Sequence, residues 1–317
     1  MTNLITPFNT DPIVDKQFFH PKYFFSWVGL LFIYLISRLP LRIILIIGKG
    51  LGILLFAIAK RRRSIAELNL KLCFPNKTDK ERTSLAKKTF INIGIGIFET
   101  GIGWWASKNR IKKMKVSFIN KEALIKAKKE KKGLLVLIKH STHLELDLRI
   151  LSEELSLGGM YRPQNNLVVN YFMTKARNSM FTGVVSRTEA KHAIRWIKNG
   201  LKFLYAADQD YGKNVSEFIP FFDHKAATVK LPAYLAKQDI KTVLLNIDRN
   251  KLEYQVELIE IDNTLEDIEF LTSINMKYEQ VIRKFPEQYL WIHRRFKSSL
   301  HLGEDFYPKK SKLFKGL

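Results

Sequence analysis

The chain has 317 residues, of which 46% are apolar and 12% aromatic, a composition that supplies a large hydrophobic core and excludes a disordered or fibrous protein. Lysine and arginine number 53 against 30 acidic residues, and this net charge of +23 predicts an anionic partner such as phospholipid, nucleic acid or an acidic protein. The single cysteine, Cys73, excludes a disulfide framework and a multi-cysteine zinc site, and it is typical of a reducing compartment.

The N-terminal region is predicted to be embedded in a membrane. Residues 24–59 are dominated by Leu, Ile, Phe and Gly, with few interruptions by charge. A bilayer-spanning helix needs about 20 apolar residues. The uncharged run before Arg38 is shorter than this, and the later run contains Lys49 near its middle. Two arrangements therefore stay open: one tilted transmembrane helix, or one span followed by an interfacial helix.

A basic cluster at residues 60–63 (KRRR) follows the apolar region. Such a cluster resists translocation, so the positive-inside tendency places the following chain in the cytoplasm and argues against cleavage as a signal peptide after Ala59. We therefore predict an N-terminal segment at residues 1–22, a membrane anchor at 23–60 and a cytoplasmic domain at 61–317.

The rest of the chain alternates between short apolar runs and amphipathic stretches. Thr78 and Glu81 have capping-box spacing and predict a helix that runs to about Trp105. Strands are predicted at residues 134–138, 159–161, 183–185, 203–206, 242–247 and 252–261. Further helices are predicted at residues 144–155, 169–179, 189–198, 228–237 and 265–285. This alternation is typical of an α/β protein, and we predict a mixed sheet covered by helices.

Polar residues follow the apolar strand at 134–138, and among them His140 and Glu145 are separated by four residues. Open α/β sheets place ligands at the carboxyl ends of their strands. If a helix begins after the turn, the Glu145 carboxylate can accept a hydrogen bond from one imidazole nitrogen while the other nitrogen takes a proton. The spacing predicts a histidine base with an orienting carboxylate, although such pairs also occur by chance.

A set of motifs spread over most of the chain resembles the lipid A late acyltransferases. These are lauroyl and myristoyl transferases within the wider group of glycerolipid acyltransferases that share a His-four-residues-acid motif. Besides the apolar segment and the basic cluster, the matching motifs are residues 69–75 (NLKLCFP), 98–100 (FET), 104–105 (WW), 140–145 (HSTHLE), 161–163 (YRP), 208–212 (DQDYG), 219–222 (IPFF) and 291–296 (WIHRRF). Together they are far more specific than any one motif.

The resemblance implies that a fatty acyl chain is moved from an acyl carrier protein thioester to the hydroxyl of a 3-hydroxyacyl chain on a lipid A precursor. It implies a bacterial inner-membrane protein whose catalytic domain lies on the cytoplasmic side, with no cofactor and no metal. It also makes His140 the general base and Glu145 its orienting partner. Substrate binding is implied for Arg162, Asp208, Gln209, Asp210 and Tyr211.

Two positions depart from the family pattern. His143 stands inside the motif, where we expect it to face solvent or cap the following helix, but its presence leaves two imidazoles to choose between as the base. Ala207 precedes Asp208 at a position where proline is expected more often. Neither departure removes His140 or Glu145.

Three other functions stay open at this point. A lysophospholipid or glycerol-phosphate acyltransferase would use the same base. A lipid-linked glycosyltransferase could use Asp208 and Asp210, which have the Asp-x-Asp form of metal-dependent enzymes, although Gln209 and Tyr211 fit the acyltransferase motif better. A non-catalytic, membrane-tethered basic binding protein would account for the charge. The chain lacks nucleic-acid-binding signatures, so we expect no nucleic-acid partner.

A lipid substrate also predicts an apolar groove that opens near the bilayer. We expect residues 219–222 and the region around Phe98 to line this groove. The sequence does not determine the acyl chain length, the acylated position or the oligomeric state.

Overall fold

The computed structural model describes Val14 and residues 16–186, 189–303 and 306–308 of the chain. Residues 1–13 and 15 of the predicted N-terminal segment lie outside these ranges. The helices are α1 (Phe24–Ser37), α2 (Leu41–Ile58), α3 (Lys60–Cys73), α4 (Asp79–Trp105), α5 (Lys108–Lys112), α6 (Lys121–Lys129), α7 (Leu144–Glu154), α8 (Leu167–Met180), α9 (Ala190–Lys198), α10 (Leu231–Ala236) and α11 (Asp267–Lys284). The strands are β1 (Lys115–Ile119), β2 (Leu134–Leu137), β3 (Leu157–Tyr161), β4 (Gly183–Ser186), β5 (Lys202–Tyr205), β6 (Ser216–Phe221), β7 (His224–Val229), β8 (Lys241–Asn250) and β9 (Glu253–Glu260).

Seven strands form one mixed sheet in the order β1-β9-β8-β2-β5-β3-β4. The five strands from β8 to β4 are parallel, whereas β9 runs antiparallel to β8 and pairs in parallel with β1. The four residues of β2 are all buried, which is expected of a parallel strand covered on both faces. The predicted α/β class with a mixed sheet is therefore confirmed.

The predicted elements agree well with the observed ones, and the capping box of Thr78 and Glu81 is present at the start of α4. One region differs. Residues 228–237 were expected to be one helix, but the chain is still in β7 until Val229, and α10 is short. The β6–β7 hairpin, which stands outside the large sheet, was not predicted because Pro220 interrupts its apolar pattern.

The two apolar N-terminal helices pack against α4. Of the described helices, α2 is the one that is long and apolar enough to cross a membrane, by length and composition. It has 18 residues, and α1 has 14. The division into an anchor at residues 23–60 and a domain at 61–317 stays a prediction.

Glycines on two faces of α4 let its neighbours approach closely. A Cβ atom added at Gly94 would overlap backbone atoms of α2, and one added at Gly101 would overlap α1. On the other side of α4, a Cβ at Gly96 would overlap the carbonyl of Thr142, and one at Gly103 would overlap the carbonyl of Glu145. A single helix therefore separates the apolar helices from the loop that carries the predicted active site.

The close approach between α2 and α4 makes a testable difference between two glycines of α2. A Cβ at Gly52 would overlap backbone atoms of Phe90 and Ile91, whereas one at Gly50 meets nothing within 4 Å. We expect Gly52→Ala to destabilise the detergent-solubilised protein by about 1–3 kcal/mol, since the helices must move apart. The matched control, Gly50→Ala, should be neutral or stabilising by up to about 1 kcal/mol. Equal thermal unfolding midpoints for the two variants would contradict this packing.

Candidate active site

The candidate site lies where two neighbouring parallel strands end. Leu137 at the end of β2 is paired with Tyr205 at the end of β5, and His140 and Asp208 each lie three residues beyond this pair. The strand register therefore delivers both residues to the same edge of the sheet. This carboxyl edge is where open α/β sheets bind ligands.

Asp208 holds His140 through both of its carboxylate oxygens. The backbone N–H of His140 donates to Oδ2 at 2.8 Å, and the ring Nδ1 lies 2.6 Å from Oδ1. With an ionised carboxylate as its partner, Nδ1 carries the proton. These two contacts fix both the orientation and the tautomer of the imidazole, leaving the lone pair on Nε2.

The Asp208 side chain is fully buried, whereas 19% of the His140 side chain is exposed. Burial alone would raise the pKa of Asp208, but the charge and hydrogen bonds of His140 outweigh it and lower the pKa below its ordinary value. Asp208 is therefore a carboxylate at neutral pH. No described residue forms a hydrogen bond with Nε2 of His140, so this nitrogen is the one open to a substrate.

The loop that carries His140 is held by a second segment of the chain. The carbonyl of His140 accepts a hydrogen bond from Leu290 N at 3.0 Å, and Thr142 N donates to the carbonyl of Gln288 at 2.8 Å. Behind the loop, the ammonium group of Lys139 lies 2.6 Å from Asp248 of β8 in a buried ion pair. These contacts limit the freedom of the backbone next to the imidazole.

The hydrogen bond predicted between Glu145 and His140 is wrong in this structure. Glu145 lies in the first turn of α7, and its carboxylate instead accepts a hydrogen bond from Trp104 Nε1 at 2.8 Å and forms an ion pair with Arg177 of α8. Because the register of β2 and β5 brings Asp208 directly to the ring, the orienting carboxylate comes from a neighbouring strand rather than from the following helix. Any part of Glu145 in catalysis stays a prediction.

His143 does not compete with His140 for the role of base. It was expected to face solvent or to cap α7. It does occupy the N-cap position, where its backbone carbonyl accepts hydrogen bonds from Leu146 N and Asp147 N, but its side chain is fully buried and makes no cap hydrogen bond. Its Nδ1 lies 2.6 Å from Asp147, and its Nε2 lies 2.8 Å from the side-chain oxygen of Gln288. With both nitrogens bound inside the protein, this imidazole supports the loop and cannot reach a substrate.

The remaining predicted site residues lie around the same edge of the sheet. Arg162 follows β3 and is exposed, and Gln209 is partly buried. Asp210 accepts hydrogen bonds from the backbone and hydroxyl of Ser298 at 2.6 and 2.9 Å. Tyr211 is 45% exposed, and its hydroxyl donates to the carbonyl of Ala206 at 2.8 Å. Substrate contact by these residues stays a prediction.

Asp208 and Asp210 have different partners. The first is bound to His140 and the second to Ser298, so each carboxylate has a hydrogen-bonding role within the protein. Within the described ranges, no group of three or more His, Cys, Asp or Glu side chains is arranged to hold a metal ion.

The expected lining of an acyl groove is wrong for Phe221 and Phe222. Both side chains are buried, at 0% and 2% exposure, and Phe222 packs in the core against Phe74 and Trp291. Phe98 is also buried, with its ring edge-to-face against Phe32 of α1. Apolar character alone did not distinguish core residues from groove residues in this motif.

Two residues close to the site were not singled out from the sequence. Arg177 pairs with Glu145 but lies in the middle of a helix, with no local motif to mark it. His293 belongs to the WIHRRF motif, and its ring centroid lies 6.5 Å from that of His140. Burial of the ring away from water lowers the pKa of His293 to about 4, although the negative charge of Asp208 acts to raise it. This histidine is therefore neutral at pH 7.

The pKa of His293 predicts a pH dependence of stability. Between its ordinary pKa of 6.5 and its folded value of about 4, the unfolded chain binds a proton that the folded protein does not. Stability from this group is therefore fully present above pH 6.5 and is lost as the pH falls toward 4. When the pH falls from about 7 to about 5, we expect the free energy of unfolding of the unsubstituted protein to fall by about 2 kcal/mol more than that of His293→Gln. Denaturant titrations of both proteins measure this difference, and parallel pH profiles would contradict the assignment.

Residues 12–298 match the family described as bacterial lipid A biosynthesis acyltransferase. The chain is 32% identical to the lipid A biosynthesis lauroyltransferase of Escherichia coli (strain K12), over 94% of this chain and 97% of that protein. It is 29% identical to the palmitoleoyltransferase of the same organism, over 90% and 94% of the two chains. It is 24% identical to the myristoyltransferase of that organism, over 94% and 97%.

Proposed function

Because this chain belongs to the bacterial lipid A biosynthesis acyltransferase family, we propose that it transfers a fatty acyl chain from an acyl carrier protein thioester to a hydroxyl of a lipid A precursor. The proposal places the enzyme at the bacterial inner membrane, with its catalytic domain on the cytoplasmic side. The observation that supports this chemistry is the pair formed by His140 and Asp208. Nδ1 of the imidazole is bound to the carboxylate, and Nε2 is open.

In the proposed reaction, Nε2 of His140 removes the proton from the acceptor hydroxyl as its oxygen attacks the thioester carbonyl carbon. Asp208 stabilises the imidazolium that forms, since its carboxylate stays ionised. When the tetrahedral intermediate collapses, the carbon–sulfur bond breaks and the imidazolium returns its proton to the leaving thiolate. A thioester is already activated, so this sequence requires no covalent acyl-enzyme.

Two arginines support binding of an anionic substrate in this proposal. Glu145 fixes Arg177 beside the start of α7 through their ion pair. Arg162 presents an exposed guanidinium at the end of β3, and guanidinium groups bind phosphate well because their donors match its geometry. We assign Gln209, Asp210 and Tyr211 to the opposite wall of the site.

The net charge of +23 supports two anionic partners, an acidic acyl carrier protein and the phosphates of the lipid. The acyl chain length stays open. The relatives are named for lauroyl, palmitoleoyl and myristoyl chains at similar coverage, so membership of the family does not select one of them.

The proposal is tested with purified protein carrying His140→Ala. Transfer from an acyl carrier protein thioester to a lipid A precursor should fall by about 10³-fold, as expected for loss of a general base. A parallel assay with lysophosphatidic acid as the acceptor distinguishes a glycerolipid acyltransferase. Mass spectrometry of lipid A from cells with and without the protein gives the added chain and its position. Unchanged transfer by a folded His140→Ala protein would refute the mechanism.

Asp208→Asn tests the source of the orienting carboxylate. The carboxylate accepts hydrogen bonds from two donors, the backbone N–H and the ring of His140. An amide offers only one acceptor oxygen and would turn its NH₂ toward one of these donors. We expect kcat to fall by about 10²-fold or more, because the imidazole loses its tautomer and orientation.

The matched control is Asp239→Asn, since Asp239 pairs with Lys132 on the exposed surface. This variant should keep nearly full activity. A kcat for Asp208→Asn close to that of the control would contradict the role of Asp208, even if His140 proved essential.

A further inference from the structure

The outer faces of α1 and α2, two helices that both pack against α4, are exposed and apolar. Among the described residues, 21 large apolar side chains are exposed, and 12 of them belong to these two helices. The most exposed are Phe25 at 83%, Ile46 at 71%, Ile58 at 63% and Phe24 at 62%. A patch of this kind on a highly charged protein indicates contact with an apolar phase.

The inner face of α2 lies along α4 over most of its length. Gly48 is packed against Ile95 and Gly52 against Ile91, while the rings of Phe56 and Phe90 meet at 5.5 Å. The two helices are therefore antiparallel and in close contact. If α2 stood upright across a bilayer, α4 and the domain built on it would be drawn into the hydrocarbon.

The charges of α2 also argue against an upright helix. Lys49 is exposed near the middle of α2, and no described residue pairs with it. At the centre of a bilayer such a lysine costs about 2.5–3.5 kcal/mol. Arg42 lies seven residues earlier, so it shares the same edge of the helix. In a helix that lies flat, both side chains can extend from this edge to the headgroups.

Basic residues flank both ends of α2, with Arg38 before it and the cluster at residues 60–63 after it. A helix of 18 residues is about 27 Å long, so an upright orientation would put these groups on opposite sides of the membrane. The positive-inside tendency favours the same side for both. The 14 residues of α1 span only about 21 Å, less than a hydrocarbon core of about 30 Å.

We propose that α1 and α2 both lie flat in the cytoplasmic leaflet, with their outer faces in the acyl chains and Arg38, Arg42, Lys49 and the cluster at residues 60–63 at anionic headgroups. This inference rests on the proposed function only in placing the domain at the cytoplasmic membrane surface. The arrangement puts the site close to lipid, because α4 alone separates these helices from the loop of His140 and a helix is about 10 Å across. An acceptor chain can then reach Nε2 of His140 with its tail still in the leaflet.

The test measures depth along α2 in proteoliposomes of phosphatidylethanolamine and phosphatidylglycerol. Single cysteines replace Ile43, Ile46, Ile53 or Leu54 in a Cys73→Ser background and carry a bimane fluorophore. Quenching by lipids with a spin label at a shallow or a deep position of the acyl chain reports depth. We expect the shallow label to quench the fluorophore more than the deep label does at all four sites. The degree of quenching should be similar from one site to the next. Tyr234→Cys, on the exposed surface of α10, is the unquenched control.

A second measurement uses intact cells with cysteines at Arg38 and Lys60, one at each end of α2. A membrane-impermeant maleimide should label neither site from the periplasm and both after the cells are opened. Labelling of one end from outside, or deepest quenching at the centre of α2, would overturn the proposal in favour of an upright span. Neither readout depends on enzyme activity, so failure of the proposed function would leave this result standing.

Discussion

The geometry of the candidate site depends on one contact, in which the buried carboxylate of Asp208 accepts hydrogen bonds from His140 across two neighbouring strands. Asp208 uses one oxygen for the backbone of His140 and the other for its ring. A buried carboxylate is costly unless its hydrogen bonds are satisfied, and here a single residue satisfies both oxygens. The contact therefore stabilises the charge of Asp208 and the geometry of the imidazole together.

The loop that carries His140 rests on buried polar groups rather than on apolar packing. Lys139 is paired with Asp248, His143 with Asp147, and Arg249 with Glu99, all with little or no exposure to solvent. Removing one partner from such a pair leaves an uncompensated charge, which makes each pair sensitive to change. The apolar clusters that cover the two faces of the sheet offset the cost of these groups. The loop is thereby fixed in a conformation that apolar contacts alone would not specify.

The position of α4 links the apolar N-terminal helices to the candidate site. Glycines at 94 and 101 face the apolar helices, and glycines at 96 and 103 face the loop around His140 and Glu145. Residues seven apart lie on the same side of a helix, while residues two apart lie on nearly opposite sides. The spacing of these four glycines thus lets the apolar helices approach α4 on one side and the loop around His140 and Glu145 approach it on the other. A chain with larger residues here would hold the loop farther from the apolar helices.

Much of the architecture could be predicted because it depends on local patterns. The capping box fixes the start of α4, the run of apolar residues at 134–138 marks the buried strand β2, and the alternation of elements gives the α/β class. The motif around His140 marked the edge of the sheet where the candidate site lies. The hairpin of β6 and β7 escaped prediction because its pairing partners are set by tertiary packing and its pattern is broken by Pro220.

The sequence by itself determined the α/β class, the apolar N-terminal helices and the histidine at the end of a strand, since each is written in neighbouring residues. Only the tertiary structure decided that Asp208 rather than Glu145 orients His140, that His143 is buried, and that Phe221 and Phe222 belong to the core. The partners of these side chains are far away in the chain, and strand register and helix packing bring them together. Spacing along one segment cannot report a contact that depends on where another segment lies.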